Sequence, residues 1–203
     1  MPGLALHFVL ATQALERLRA ADAPNPFGLD DPSALNAFLH GSMGPDSGYL
    51  PGGFRPMSEL AHSMRTGALT SELITSARTP TERAFAWGWL THVLGDRLIH
   101  PWIGRGVGEL RYGSRDHFVS GAADTSSHLR VELGVDAWFA AHNRDLLTVR
   151  LRPAFDSVTV AFVERAFAVT YGEELPKGVA LRSHLSAGRR IAQGLASLRL
   201  LGA

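Results

Sequence analysis

The 203-residue sequence contains no cysteine. That absence excludes disulfides, thiolate zinc fingers, iron–sulfur clusters and cysteine nucleophiles together. Any metal must be held by His, Asp and Glu. Charge of one sign is also lacking: 20 basic residues, of which only Lys177 is a lysine, face 19 acidic ones for a net charge of +1. No bulk field draws a polyanion, which argues against a duplex nucleic-acid binder. No run reaches the roughly 18–20 apolar residues of a membrane span. The first residues, MPGLALHFVLATQALERLRA, lack a basic region ahead of an apolar one. They do not read as a secretory signal, so a cytoplasmic location is expected. With 45% hydrophobic residues and a mean hydropathy of +0.02, the chain has the make-up of a folded domain. Its length predicts a single domain over residues 1–203.

Strand signals are scarce, and residues 147–151 (LTVRL) are the best short candidate. Helical spacing covers residues 4–20, with His7, Ala11, Ala14 and Leu18 on one face. Asp31 followed by Pro32 suits the start of a short helix to about His40. Residues 41–56, GSMGPDSGYLPGGFRP, predict a loop, because eight of sixteen are Gly or Pro. A helix over 58–77, interrupted near Gly67, comes next. Thr79-Pro80-Thr81-Glu82 is a capping-box pattern that opens a helix from Pro80 to Ile99, ended by Pro101. Residues 104–121, with five glycines, predict a second irregular segment. Further helices are expected over 126–141, with Asn143 as cap, over 153–171 stopped by Gly172, and over 178–201. The predicted class is all-α: one helical bundle with two Gly/Pro-rich loops.

Nine histidines stand against the missing cysteine. The helix from Pro80 carries His92, Asp96 and His100 at intervals of four, which stacks them on one face. A His and an Asp at that interval can chelate one metal, and the third group can reach a neighbouring one. Leu90, Val93, Leu94 and Leu98 occupy the other faces, so the helix reads as buried nearly all round. A polar stripe on a buried helix has to be satisfied by something. The helix from Ser126 repeats the device as His128 and Glu132, with Asp136 near the same stripe as a supporting group. His7, Asp46 and His62 complete the candidates. Taken singly, His7 reads as a core histidine and Asp46 as a turn residue; the joint occurrence carries the argument. His40, His117, His142 and His184 have no partner pattern and read as structural or surface residues.

The order His7, Asp46, His62, His92-x-x-x-Asp96, His100, His128-x-x-x-Glu132 resembles the zinc-dependent phospholipase C family, which is related to the S1/P1 nucleases. PGLALHFVLA, FLHGSMGPD and GWLTHVLGDRLIHP supply the matching context. The resemblance is strongest over residues 1–140, and 145–203 add C-terminal helices. It implies an all-α fold with two to three zinc ions at the bottom of a cleft. One ion would take Asp46, His62, His92 and Asp96; a second would take His100, His128 and Glu132; a third would take His7 and share Asp96. It implies hydrolysis by metal-activated water attacking the phosphorus of a phospholipid or similar phosphodiester, with Asp46 orienting or deprotonating the water. The chain departs from the secreted phospholipases in lacking an N-terminal Trp ligand. It also places His100 four residues after Asp96 where they have six, and has Ser47 where the choline-preferring enzymes have Tyr. Tyr49, Phe54, Tyr112 and Phe118 are candidates to line the cleft. The competing expectations are a single-strand nuclease using the same ligands and a non-catalytic metal-binding helical domain.

Overall fold

A computed structural model of the chain describes residues 3–21, 26–142, 151–152 and 157–201. The described residues form eight α-helices and no strand, as the pattern predicts. They are α1 (Leu4–Ala20), α2 (Pro32–Ser42), α3 (Arg55–Ser63), α4 (Thr66–Ser76), α5 (Pro80–Tyr112), α6 (Thr125–His142), α7 (Ser157–Tyr171) and α8 (Val179–Leu201). The 147–150 part of the strand candidate and the Asn143 cap lie outside the described residues.

Local chemistry sets the starts. The Asp31 side chain accepts from the Ser33 amide at the head of α2. At the head of α5 the capping box is complete: the Thr79 hydroxyl accepts from the Glu82 amide, and Glu82 accepts from the Thr79 amide at 3.0 Å. The break expected near Gly67 falls earlier, at Met64 and Arg65, where Arg65 takes a left-handed conformation (φ 49°).

Long helix α5 is the axis of the fold. It crosses α2 through glycines: a methyl group on Gly41 would overlap the Phe85 carbonyl, and one on Gly88 would overlap the Phe38 carbonyl. The backbones therefore approach more closely than any side chain would permit. Around this crossing Phe8, Phe38, Phe85, Trp89, Leu69, Leu73, Phe162, Val163 and Phe167 form the core.

Four expectations are corrected. Helix α5 does not end before Pro101 but continues to Tyr112, where Gly113 (φ 72°) caps it. Proline removes one helical hydrogen bond, yet Ile103, Gly104, Val107 and Gly108 are buried beyond it and hold the helix on course. Glycines 104, 106 and 108 are thus helical and not loop. They admit the Phe118 ring, the Val131 side chain and the His117 carbonyl respectively, and Val119 donates to the Gly104 carbonyl at 3.1 Å. Residues 41–56 are likewise no open loop. Helix α2 takes in Ser42 and α3 starts at Arg55, and the turns between them are largely buried. Finally, α5 is not buried all round: Leu94 is 49% and Leu98 70% exposed.

Candidate metal centre

All eight predicted donors converge where α1, α3, α5, α6 and the 43–53 turns meet. His7 arrives on α1, His62 on α3, His92, Asp96 and His100 on α5, and His128 and Glu132 on α6. Asp46 is placed by successive turns, with Asp46 N donating to Met43 O (3.2 Å) and Tyr49 N to Asp46 O (2.9 Å). Gly44 lies against the Trp89 ring and Gly48 under the Phe54 carbonyl, so the turn packs tightly on the core.

Two hydrogen bonds to backbone carbonyls orient the rings of His92 and His62. His92 donates through Nδ1 to the Ser42 carbonyl at 2.8 Å. His62 donates through Nδ1 to the Ser58 carbonyl at 2.7 Å. A carbonyl only accepts, so in each neutral ring Nδ1 carries the hydrogen and Nε2 presents a bare lone pair. The two Nε2 atoms face each other at 3.2 Å. Two lone pairs at that distance repel unless a cation or proton lies between them.

A carboxylate oxygen of Asp46 and one of Asp96 flank that pair. His62 Nε2 lies 3.3 Å from Asp46 Oδ1 and 3.5 Å from Asp96 Oδ2. His92 Nε2 lies 3.9 Å and 3.4 Å from the same atoms. Zinc bonds of about 2.0–2.1 Å place tetrahedral donors roughly 3.3–3.4 Å apart, and most of these separations lie near that spacing. Asp96 turns its other oxygen toward His7 Nε2 (3.3 Å) and His100 Nε2 (3.5 Å). Beyond it, Glu132 Oε1 lies 3.4 Å from His100 Nε2 and 2.9 Å from His128 Nε2. Three ion-sized groups result: Asp46–His62–His92, His7–His92–Asp96 and His100–His128–Glu132. His92 belongs to two of them, and its ring stacks on that of His7 with centroids 3.9 Å apart.

The electrostatics agree with a cation-binding set. Burial alone would raise the Asp96 pKa, but His92 and His7 outweigh it and hold this carboxyl well below the usual range. Burial is likewise outweighed at Glu132, which hydrogen bonds from His100 and His128 pull down to about 2. His100 is shifted up by its bond to Glu132. His62 is raised as well: burial lowers it, but the Asp46 carboxylate prevails. At His7 burial prevails and, with His92 adding to it, the ring is held neutral. Asp46 is 2% exposed, and neither carboxylate oxygen has a hydrogen-bond partner among the described residues. His7 Nδ1 is buried without one too. Buried polar atoms left in this state are costly, and a bound cation would satisfy the inward-facing ones.

Six of the donors line two clefts that share His62, His100 and Phe118. One, of about 610 Å³, is lined by Tyr49, Arg55, Phe118 and Thr125 with His62, His100, His128 and Glu132. The other, of about 550 Å³, opens past Arg97, Pro101 and Phe118 onto His62, His92 and Asp96. A small space of about 10 Å³, water-sized, sits between His7, Asp96, His100 and Glu132. Of the four aromatics expected at the cleft, Tyr49 and Phe118 line it. Phe54 instead donates its amide to Ser183 Oγ at 2.9 Å and packs on the core, and Tyr112 is exposed.

The expectation that Asp136 supports a donor ring is corrected. Asp136 accepts from the Leu6 amide (3.0 Å) and the Ala5 amide (3.2 Å), closing the open first turn of α1. The Ser42 and Ser58 carbonyls escape sequence reading because any residue offers a carbonyl.

An all-α chain with a carboxylate–imidazole cluster at the floor of a cleft defines the class. The chain belongs to the zinc-dependent phospholipase C family, which it matches over residues 6–177, from α1 to beyond α7. No curated protein and no solved structure matches the chain.

Proposed function

We propose that the chain is a zinc-dependent phosphodiester hydrolase acting on a phospholipid or a similar diester. The observation that carries this reading is the pair of facing Nε2 atoms on His62 and His92 with Asp46 and Asp96 around them. Those four residues would hold one ion, His100, His128 and Glu132 a second, and His7 with Asp96 a third. Zinc supplies, when bound, a water made acidic near neutral pH and positive charge that offsets the phosphoryl oxygens.

The chain's own groups do the rest. The Ser42 and Ser58 carbonyls lock the rings of His92 and His62, which removes the reorganisation a mobile ligand would need. Asp46, buried beside His62, orients the attacking water and accepts its proton. The diester's phosphorus sits over the donors, and the bond to its leaving oxygen breaks as the bond from water forms. Arg55 and Tyr49 on the cleft wall face the remainder of the substrate.

Elemental analysis of the purified chain is the direct test, and two to three zinc ions per chain are expected. Hydrolysis of a chromogenic phosphodiester should stop with chelator and return with zinc. Metal-free protein that gains neither zinc nor activity on supplementation would overturn the reading. Turnover of single-stranded nucleic acid with none of phospholipid would move it to a nuclease.

A further inference from the structure

The outer face of α5 carries an apolar stripe that the fold leaves open. Leu94, Leu98 and Trp102 recur at intervals of four, about 40° apart on the helix, and are 49%, 70% and 68% exposed. Arg105 belongs to the same stripe, and its guanidinium lies 5.4 Å from the centre of the Trp102 ring. Turning round the helix from the metal-facing donors, one meets Arg97 and Pro101 and then this stripe. Arg97 and Pro101 line the cleft that opens onto His62, His92 and Asp96, and Phe118, itself exposed, lines it with them. The stripe is therefore the outward continuation of the cleft's lip.

We propose that this face seats the protein on an anionic phospholipid surface, with the cleft mouth turned toward the headgroups. The inference rests on the phosphodiesterase reading for the orientation but not for the binding itself. Two features favour a lipid surface. Trp and Leu with flanking Arg form the composition of a membrane-interface contact: the indole and aliphatic groups enter the headgroup boundary, and the guanidinium groups stay at phosphate level. Arg97 and Arg105 are complementary to lipid phosphates.

The test is co-sedimentation of the full chain with vesicles of phosphatidylglycerol and phosphatidylcholine in equal parts, and with vesicles of phosphatidylcholine alone. The wild-type chain should partition onto the mixed vesicles and shift its Trp emission to the blue, and Trp102→Phe should abolish most of that shift. Leu98→Glu and Trp102→Glu lie on solvent-exposed positions outside the donor set. Each should lower partition by roughly tenfold or more while leaving hydrolysis of a soluble chromogenic diester unchanged. Arg105→Gln should weaken binding to the mixed vesicles by roughly fivefold and hardly affect the neutral ones. Unchanged partition in all three variants would overturn the proposal. Loss of a concentration-dependent dimer in Leu98→Glu, with vesicle partition unaltered, would overturn it in favour of self-association. Vesicle binding that persists in a chain with no diesterase activity would sink the phosphodiesterase reading and spare this one.

Discussion

Buried histidines occur in two places in this molecule, and their surroundings differ. At the candidate metal centre, His7 and His92 are almost wholly buried, each within 3.4 Å of an Asp96 oxygen. Away from it, His40 on α2 and His184 on α8 are as deeply buried. There His40 donates to the Arg152 carbonyl at 2.8 Å, while Asn36 accepts from the Arg152 amide, so the two clamp that backbone onto α2. His184 presents its ring against Phe85 at 5.5 Å, edge to face. Burial holds His184 down to about 3, with His40 adding to the effect. Burial of a histidine is thus no mark of a metal site. Carboxylate oxygens at donor spacing make the difference.

The largest expected effect breaks the first group and leaves the second intact. His92→Ala removes the donor shared by two of the three groups. Diester turnover should fall by more than the roughly 10–100-fold typical of a lost supporting group, and zinc content should drop by at least one ion per chain. His184→Leu should keep both. Equal loss of zinc in the two variants would erase the distinction.

A second difference appears in acid. His184 titrates near 3 in the fold against 6.5 unfolded, so below 6.5 the unfolded chain takes up a proton that the folded one refuses. Stability contributed by this neutral ring is complete above 6.5 and is lost as pH falls toward 3, at about 1.4 kcal/mol per pH unit. His40 and, at the metal centre, His7 are also lowered by burial and act in the same direction. Urea midpoints measured in chelator from about pH 7 to about pH 4.5 should show this slope, and His184→Leu should flatten it. An unchanged slope in that variant would assign the acid sensitivity elsewhere.

Gly41→Ala probes the element that both groups share. The new methyl group meets the Phe85 carbonyl, so α2 must move off α5 at a cost of about 1–3 kcal/mol. The shift also draws the Ser42 carbonyl away from His92 Nδ1. Zinc affinity should weaken together with the urea midpoint, and a drop in midpoint alone would show that the Ser42 contact tolerates the movement.

Much of this contrast is legible in the sequence. His92–Asp96 and His128–Glu132 carry their carboxylates one helical turn away, whereas His40 and His184 have Asn36, Gly44, Ala180 and Gly188 at those positions. The starts of α2 and α5 are equally readable, because a cap and a proline at the first turn act locally. The course of α5 past Pro101 is not. The GRGVG run looks like loop until the Phe118 ring, the Val131 side chain and the His117 carbonyl are seen to need the missing side chains. The same holds for residues 41–56, where Gly41, Gly44 and Gly48 serve close packing and not openness. The exposure of Leu94 and Leu98 is hidden for the opposite reason: periodicity gives a residue's face but not whether another element covers it.

The smallest effect concerns the link from α6 to α1. Asp136 accepts the amides of Ala5 and Leu6, and Gly3 leaves room for its carboxylate, which a methyl group there would overlap. A carboxylate at that end of α1 also complements the helix dipole. Asp136→Ala should therefore cost about 1 kcal/mol, the usual magnitude of a lost cap, and Asp136→Asn less, since one acceptor oxygen remains. Because α1 carries His7 and none of the other donors, the change should loosen the ion held through His7 with Asp96 and leave those at His62 and His128 in place. Zinc titration with a competing chelator reads this as weakening of one binding step out of two or three. Uniform weakening of every step would mean that Asp136 supports the whole bundle and not the placement of His7. An unaltered titration with a lowered melting temperature would confine its part to the stability of α1.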